Sequence, residues 1–257
     1  MRAPADVVDV LNWAHQHLER AAHALHRYES TNPYSVKPER RDDGRRYVFT
    51  LRVTHEPKAE ISLMLSDFLY NARAVLDHLL YAIAAKPYNG RLPLEEARKI
   101  QFPICDTPEQ FENQKWRLAL LNKEVQAEIE GLQAFRDGID SAFCLYMLRD
   151  LTNFAKHREL PILAAEFGAA VLHIPEGSPQ PESQTFLTDG AELAEVTFAH
   201  PIPPVDMKVE LRVQFVPCIR THEVSEMWSS EHAGRTCLRI EEYLLDTVLH
   251  RFQRHIL

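Results

Sequence analysis

Two segments of the chain carry residue types that could do chemistry. Each offers a carboxylate, a carboxamide and an imidazole at spacings that a helix brings to one side. These residues are Asp67, Asn71 and His78 in the first segment, and Asp150, Asn153 and His157 in the second. An imidazole next to a carboxylate can serve as a general acid or base, and the same side chains can bind a metal ion. If the two segments are helices that pack side by side, they form one polar site.

The first segment is predicted to be a helix over residues 58–86. Its apolar residues form one stripe on a helical wheel, and the three polar residues lie within about 40° of one another beside that stripe. Arg73 and Asp77 lie on the opposite flank, at the i,i+4 spacing of an ion pair. We therefore expect the first polar set to line a site rather than to fill the core.

The second segment is predicted to be a helix over residues 132–160, and it supplies the stronger evidence. Its apolar stripe runs from Phe135 to Tyr146 and continues directly into the second polar set. Such a stripe needs partners, because each unpaired polar group in a protein interior costs on the order of 1–3 kcal/mol. Three explanations fit: a structural hydrogen-bond network, an acid–base site, or a metal or small-ligand site. No H-E-x-x-H or E-x-x-H pattern is present, and we predict neither a metal ligand nor a cofactor.

Short alternating runs indicate a sheet in addition to the helices. Apolar and polar residues alternate over 46–54 and over 207–215, which is typical of half-buried strands. Residues 30–45 contain prolines, a glycine and a run of charges, and they are predicted to be a loop. The stretch from about 230 to 256 has a helical pattern again.

These elements predict an α+β fold with a helical bundle core, an antiparallel sheet of roughly four or five strands, and a C-terminal helix. Strands are predicted on both sides of the helical segments in the chain, so we expect a single composite domain over residues 1–257. Its helical core spans about 1–160 and 230–257, and its β-rich part spans 162–219 together with the strand at 46–54.

The first predicted helix carries a group of histidines outside its apolar seam. They are His15, His17, His23 and His26. Because His15 and His17 point to different sides of a helix, we predict a solvated histidine-rich face rather than a metal cluster.

Composition and charge exclude several classes of function. The formal net charge of −8 argues against a dedicated nucleic-acid groove or an anionic membrane surface as the main partner. No apolar run has the length of a membrane span, and the first residues do not resemble a signal peptide, so we expect a cytoplasmic protein with reduced, buried cysteines. The motifs of phosphate-loop ATPases, Rossmann dehydrogenases and α/β-hydrolases are absent.

Three short stretches resemble a widespread set of uncharacterised bacterial proteins. The stretches are Asn71-Ala-Arg73-Ala-Val-Leu76-Asp77-His78, Phe102-Pro-Ile104, and Asn153-Phe-Ala-Lys156-His157-Arg158. In that set an N-x-R-x-x-L-D-H helix is followed by an N-x-x-K-H-R helix. The resemblance covers roughly residues 58–160 and implies a shared helical core, but the set carries no assigned activity.

Arg73 and His78 also have an R-x4-H spacing, which resembles the R-x4-H motif of HEPN domains. HEPN domains are helical bundles, and they are often metal-independent ribonucleases. This resemblance implies that Arg73 and His78, together with His157, are catalytic, that RNA is the partner, and that the protein is a homodimer. The remaining polar residues would bind the ligand: Asp67, Asn71, Asp150 and Asn153. The alternative is a small-ligand-binding or protein-interaction module without catalysis, in which the polar residues form a structural network.

Overall fold

The protein mixes helices and strands over the residues that its structure, a computed structural model, describes. The described residues are 5–136, 139–157, 160, 162–172, 188–201, 211–219 and 232–256. The α+β class and the C-terminal helix agree with the sequence patterns. Over the described part of the chain, no helix is long and apolar enough to span a membrane.

The elements follow one another along the chain with two long helices in the first third. The helices are α1 (Ala5–Glu29), α2 (Ala59–Ala85), α3 (Leu94–Ala97), α4 (Pro108–Gln114), α5 (Lys123–Gly131), α6 (Ile139–His157), α7 (Ala233–Tyr243) and α8 (His250–Ile256). The strands are β1 (Tyr34–Arg41), β2 (Arg46–Val53), β3 (Ile162–Leu172), β4 (Glu192–Thr197) and β5 (Leu211–Ile219). Short 3-10 turns lie at Asp42–Gly44, Lys86–Tyr88 and Lys115–Leu118, and a π-helical segment, Leu244–Leu249, joins α7 to α8.

These elements divide into two units. The helical unit comprises Met1–Ala22, Ser62–Leu160 and Gly234–Leu257, and the sheet unit comprises His23–Ile61 and Pro161–Ala233. The single composite domain stays a prediction.

Helix α2 is the central element of the helical unit. Phe68, Leu69, Leu76, Leu79 and Leu80 of this helix have no solvent exposure. Such a helix is apolar over more than one stripe, because neighbouring helices cover it on several sides. The residues predicted to form its core stripe are all buried.

Helices α1 and α6 both contact α2. Val7 and Leu11 of α1 pack against Val75 of α2. On the other side, the Thr152 hydroxyl of α6 donates to the carbonyl oxygen of Leu69 at 3.4 Å, and the Ser62 hydroxyl donates to the carbonyl oxygen of Leu160 at 2.9 Å. Because the earlier residue of α2 pairs with the later residue near α6, these two helices run antiparallel.

Helix α6 is shorter than the sequence pattern predicted. It begins at Ile139, whereas residues 132–136 form turns, so Phe135 does not belong to its stripe. Leu132 and Gln133 are buried although they lie outside a helix, and the buried pattern of α6 therefore extends through residues 132–136 in the sequence. Their burial serves contacts with a neighbouring loop, described below, rather than a helix.

The sheet unit contains two antiparallel sheets among its described strands. One has the order β1-β2-β4 and the other pairs β3 with β5. The described strands therefore do not form one sheet of four or five strands. The first part of the predicted strand at 207–215 lies outside the described residues, and β5 covers its end.

Strand β1 corrects the prediction that residues 30–45 are a loop. It pairs with β2 from Tyr34 opposite Val53 to Arg41 opposite Arg46. It lies at the edge of its sheet, where Pro38 can lack a donor and where charged residues face solvent. Proline and charge are signals of a loop in general, but they are also the composition of an edge strand.

The turn between β1 and β2 requires a glycine at Gly44, which has a positive φ of 92°. A Cβ there would meet the guanidinium of Arg40, which would have to move aside. Gly190, in the same unit, also has a positive φ of 82°, but a Cβ there would meet nothing within 4 Å. Comparing an alanine substitution at Gly44 with one at Gly190 therefore distinguishes the cost of the left-handed backbone from the cost of displacing Arg40.

We expect Gly44→Ala to lower the free energy of unfolding by about 2 kcal/mol and Gly190→Ala by about 1 kcal/mol, because both residues would adopt a left-handed backbone but only the first displaces Arg40. Urea denaturation of both variants measures the difference. Equal losses would show that the Arg40 contact contributes nothing to the turn.

Candidate functional site at the loop of residues 101–106

An ion pair on α2 holds the backbone of Phe102. The Arg73 guanidinium contacts Asp77 Oδ1 at 3.0 Å through Nη1, and it donates to the carbonyl oxygen of Phe102 at 2.6 Å through Nη2. The Phe102 N–H donates to the same Asp77 Oδ1 at 2.8 Å. The predicted Arg73–Asp77 pair is therefore confirmed, and it acts as a clamp on both sides of one residue.

Arg73 is largely withdrawn from solvent, with 15% of its side chain exposed. Burial lowers the pKa of its guanidinium, Asp77 opposes this shift, and the nearby charge of Arg117 lowers the pKa further. An arginine stays protonated through such changes, so the burial is offset only because its donors have partners.

Gln133 holds the next part of the loop. It is fully buried, and its carboxamide accepts from the Cys105 N–H at 2.9 Å and donates to the carbonyl oxygen of Pro103 at 3.1 Å. One side chain thus binds the backbone as a neighbouring strand would. Sequence analysis missed Gln133 because it was taken as part of a helix.

The end of the loop is held by α6. Arg149 contacts Asp150 Oδ1 at 2.7 Å through Nε, and its Nη1 contacts both carboxylate oxygens of Asp106 at 2.8 and 2.9 Å. The guanidinium also lies 4.8 Å from the centre of the Tyr146 ring. Burial lowers the pKa of Arg149, but its hydrogen bonds to the two carboxylates outweigh burial and leave the pKa raised.

The loop is therefore a point at which polar side chains from three parts of the helical unit meet. It ends at Thr107, whose side chain accepts from the Gln110 N–H and caps α4. Cys105 within the loop is a weak candidate nucleophile, because burial raises the pKa of its thiol.

The first predicted polar set faces α1 instead of α6. On a helical wheel Asp67, Asn71 and His78 lie about 160–180° around α2 from Leu69, which contacts α6. Asp67 pairs with His17 of α1 at 3.6 Å and is 61% exposed.

The second predicted set is buried only in part. Asp150 is 7% exposed, whereas Asn153 and His157 are exposed. Thr152 is the residue that faces α2, and Asn153 points about 100° away from it. The last turn of α6 therefore leaves the core, although the wheel placed all three residues on one continued stripe.

The two histidines are also far apart along the helices. His78 follows the Leu69 contact by nine residues, and His157 follows the Thr152 contact by five, in helices of opposite direction. They are separated by fourteen residues of helix, or about 20 Å. These contacts do not bring the two histidines together, and the single site of six residues stays a prediction. The catalytic roles of Arg73, His78 and His157 stay predictions, as do the binding roles of the other four.

Two histidines of α1, His15 and His17, have side-chain partners, although a solvated histidine-rich face was predicted for this helix. His15 Nδ1 contacts Glu241 Oε1 at 3.0 Å, and Glu241 is a buried carboxylate with 4% exposure on α7. The hydrogen bond to Glu241 raises the pKa of His15, burial opposes this, and Glu19 adds to the rise.

One group of side chains has donor types that could hold a metal ion. The ligand atoms of Glu124, Glu128 and His255 lie within 4.8 Å of one another. Arg254 contacts both carboxylates, so a cation already offsets part of the negative charge of this group.

Comparisons with known proteins do not identify the chain. It matches no family model, and it has no significant match among curated proteins or solved structures. The resemblances to the uncharacterised bacterial set and to HEPN domains stay predictions.

We expect Asp77→Asn to lower the free energy of unfolding by about 2 kcal/mol, because it leaves the buried Arg73 charge without its carboxylate. Asp67→Asn on the same helix is the matched control, and it should change stability by less than about 0.5 kcal/mol, since its pair is exposed. Chemical denaturation measures both. Similar effects of the two substitutions would contradict the clamp.

The His15–Glu241 pair predicts a dependence of stability on pH. Because the pKa of His15 is raised in the folded protein, the pair contributes fully below the ordinary value of 6.5, and its contribution is lost as pH rises through the folded pKa. We expect His15→Gln to reduce the fall in stability over this range, whereas His23→Gln, at an exposed position of the same helix, should leave it unchanged. Melting temperatures across pH 6 to about 9 test this; an unchanged profile in His15→Gln would refute it.

Proposed function

We propose that the protein is a non-catalytic binding module, in which the buried polar residues of α2 and α6 form a structural network around residues 101–106. The observation that carries this proposal is the use of Arg73. Both of its Nη atoms are engaged, one by Asp77 and one by the carbonyl oxygen of Phe102. A guanidinium held in this way positions a loop, and a substrate would have to compete with both of these partners.

The second pair supports the same conclusion. Asp150, the best-buried residue of the predicted site, contacts Arg149, and Arg149 bridges it to Asp106 of the loop. Buried charges of this kind are expected to be paired, and replacing one partner is costly whether or not a ligand exists. Neither pair therefore needs a reaction to explain its presence.

The network would hold the loop so that neighbouring residues are presented to a ligand. A loop with a proline and a largely buried middle cannot satisfy its backbone through regular secondary structure. Here side chains satisfy it, as Gln133 and Asp77 illustrate. Trp116, which follows α4 closely in the chain, is 55% exposed and belongs to the same helical unit.

The competing function is the metal-independent ribonuclease that the R-x4-H spacing implied. The contacts of Arg73 weigh against it, because a phosphate would have to displace Asp77 or Phe102. His157 remains exposed at the end of α6, next to the exposed Lys156, so its part in the hypothesis is open to direct test.

We expect no cleavage of single-stranded or structured RNA by the folded full-length protein in the presence of EDTA. His78→Ala and His157→Ala should behave as the wild type does. Fluorescent RNA substrates measure this, with circular dichroism to verify folding. Cleavage by the wild type that either substitution abolishes in a folded protein would overturn the proposal and support the ribonuclease.

A further inference from the structure

Arg117 is a partly buried basic residue that contacts the loop through Gln101. It lies in the 3-10 turn Lys115–Leu118, and its Nη1 donates to the side-chain oxygen of Gln101. It makes no ion pair with any carboxylate in the described part of the chain. Other basic residues of the helical unit do make ion pairs: Arg98 with Glu95, Lys99 with Glu96, and Lys115 with Glu112.

The Arg117 guanidinium also has an unmet hydrogen bond. Its Nε is buried and has no hydrogen-bond partner. A buried donor without a partner costs on the order of 1–3 kcal/mol, so most such groups in proteins are satisfied. An acceptor supplied by a ligand would recover this cost once the side chain turns toward it.

A second positive charge lies nearby. Arg117 is close enough to Arg73 to lower the pKa of the Arg73 guanidinium. Of the two arginines, only Arg73 is paired with Asp77. Arg117 therefore adds an unpaired positive charge near the Arg73–Asp77 ion pair in the described part of the chain. A group with more than one negative charge would compensate the excess better than a further neutral acceptor.

An aromatic face completes the arrangement. The Arg117 guanidinium lies 4.9 Å from the centre of the Trp116 ring, and the indole is 55% exposed. Arginine and tryptophan together can bind a phosphate and stack a flat ring beside it.

We propose that Arg117 and Trp116 form a binding site for a small phosphate-bearing ligand with a flat ring, such as a nucleoside monophosphate. Arg117 binds the phosphate, and Trp116 stacks on the ring. This inference rests on the proposed binding function and names the ligand class and the residues that recognise it. It leaves the contact of Arg73 with Phe102 in place, because Arg117 contacts Gln101 and takes no part in that clamp.

The test is isothermal titration of the full-length protein with adenosine monophosphate, uridine monophosphate, inorganic phosphate and adenosine. We expect both monophosphates to bind more tightly than phosphate or adenosine, and binding to weaken as salt is raised. Arg117→Gln should weaken monophosphate binding at least about tenfold, the loss of one charge-assisted contact. Trp116→Ala should reduce it to the level of inorganic phosphate.

Arg98→Gln is the matched control, because Arg98 is an exposed arginine with a carboxylate partner, and it should leave binding unchanged. If Arg117→Gln does not fold, Arg117→Lys replaces it, and this variant keeps the charge but should lose the forked contact. Absence of saturable binding, or binding that neither Arg117 substitution nor Trp116→Ala weakens, would overturn the inference. Those results leave the non-catalytic proposal standing, whereas that proposal fails only if the RNA assay shows cleavage.

Discussion

The ion pair between Arg73 and Asp77 is the interaction on which the organisation of the helical unit depends. Its two side chains lie one helical turn apart on α2, and they bind the N–H and the carbonyl oxygen of Phe102. Phe102 is fully buried, so its peptide groups have no water to satisfy them. The clamp therefore allows an irregular segment to enter the core of a helical bundle.

The same physical requirement explains the other polar residues around this loop. Gln133 binds Pro103 and Cys105, and Arg149 binds Asp106. Each contact supplies a partner that a helix or a strand would have supplied through its own backbone. Arg73 and Asp77 on α2 and Arg149 on α6 thus serve the loop, and their presence is not by itself evidence of catalysis.

A ligand should therefore be sought outside the side chains that hold the loop. Side chains that are fully engaged within the protein hold the loop, whereas Arg117 keeps unmet hydrogen-bonding capacity and stacks on the exposed Trp116. The sequence patterns single out neither Trp116 nor Arg117. The only signal for this pair was their adjacency in the chain, and adjacency alone does not distinguish a binding platform from a surface turn.

The amino-acid sequence by itself determined the local features of this protein. Helical periodicity located α2 and its buried stripe, and i,i+4 spacing identified the Arg73–Asp77 pair, because both depend only on residues within one helix. Tertiary structure alone decided which elements those residues meet. The wheel could not show that Asp67 faces α1, that α6 exposes His157, or that an edge strand accepts Pro38, since each outcome depends on neighbours distant in the chain. The partner of a polar side chain is set by the packing of distant elements, and the residue spacing within one segment does not determine that packing.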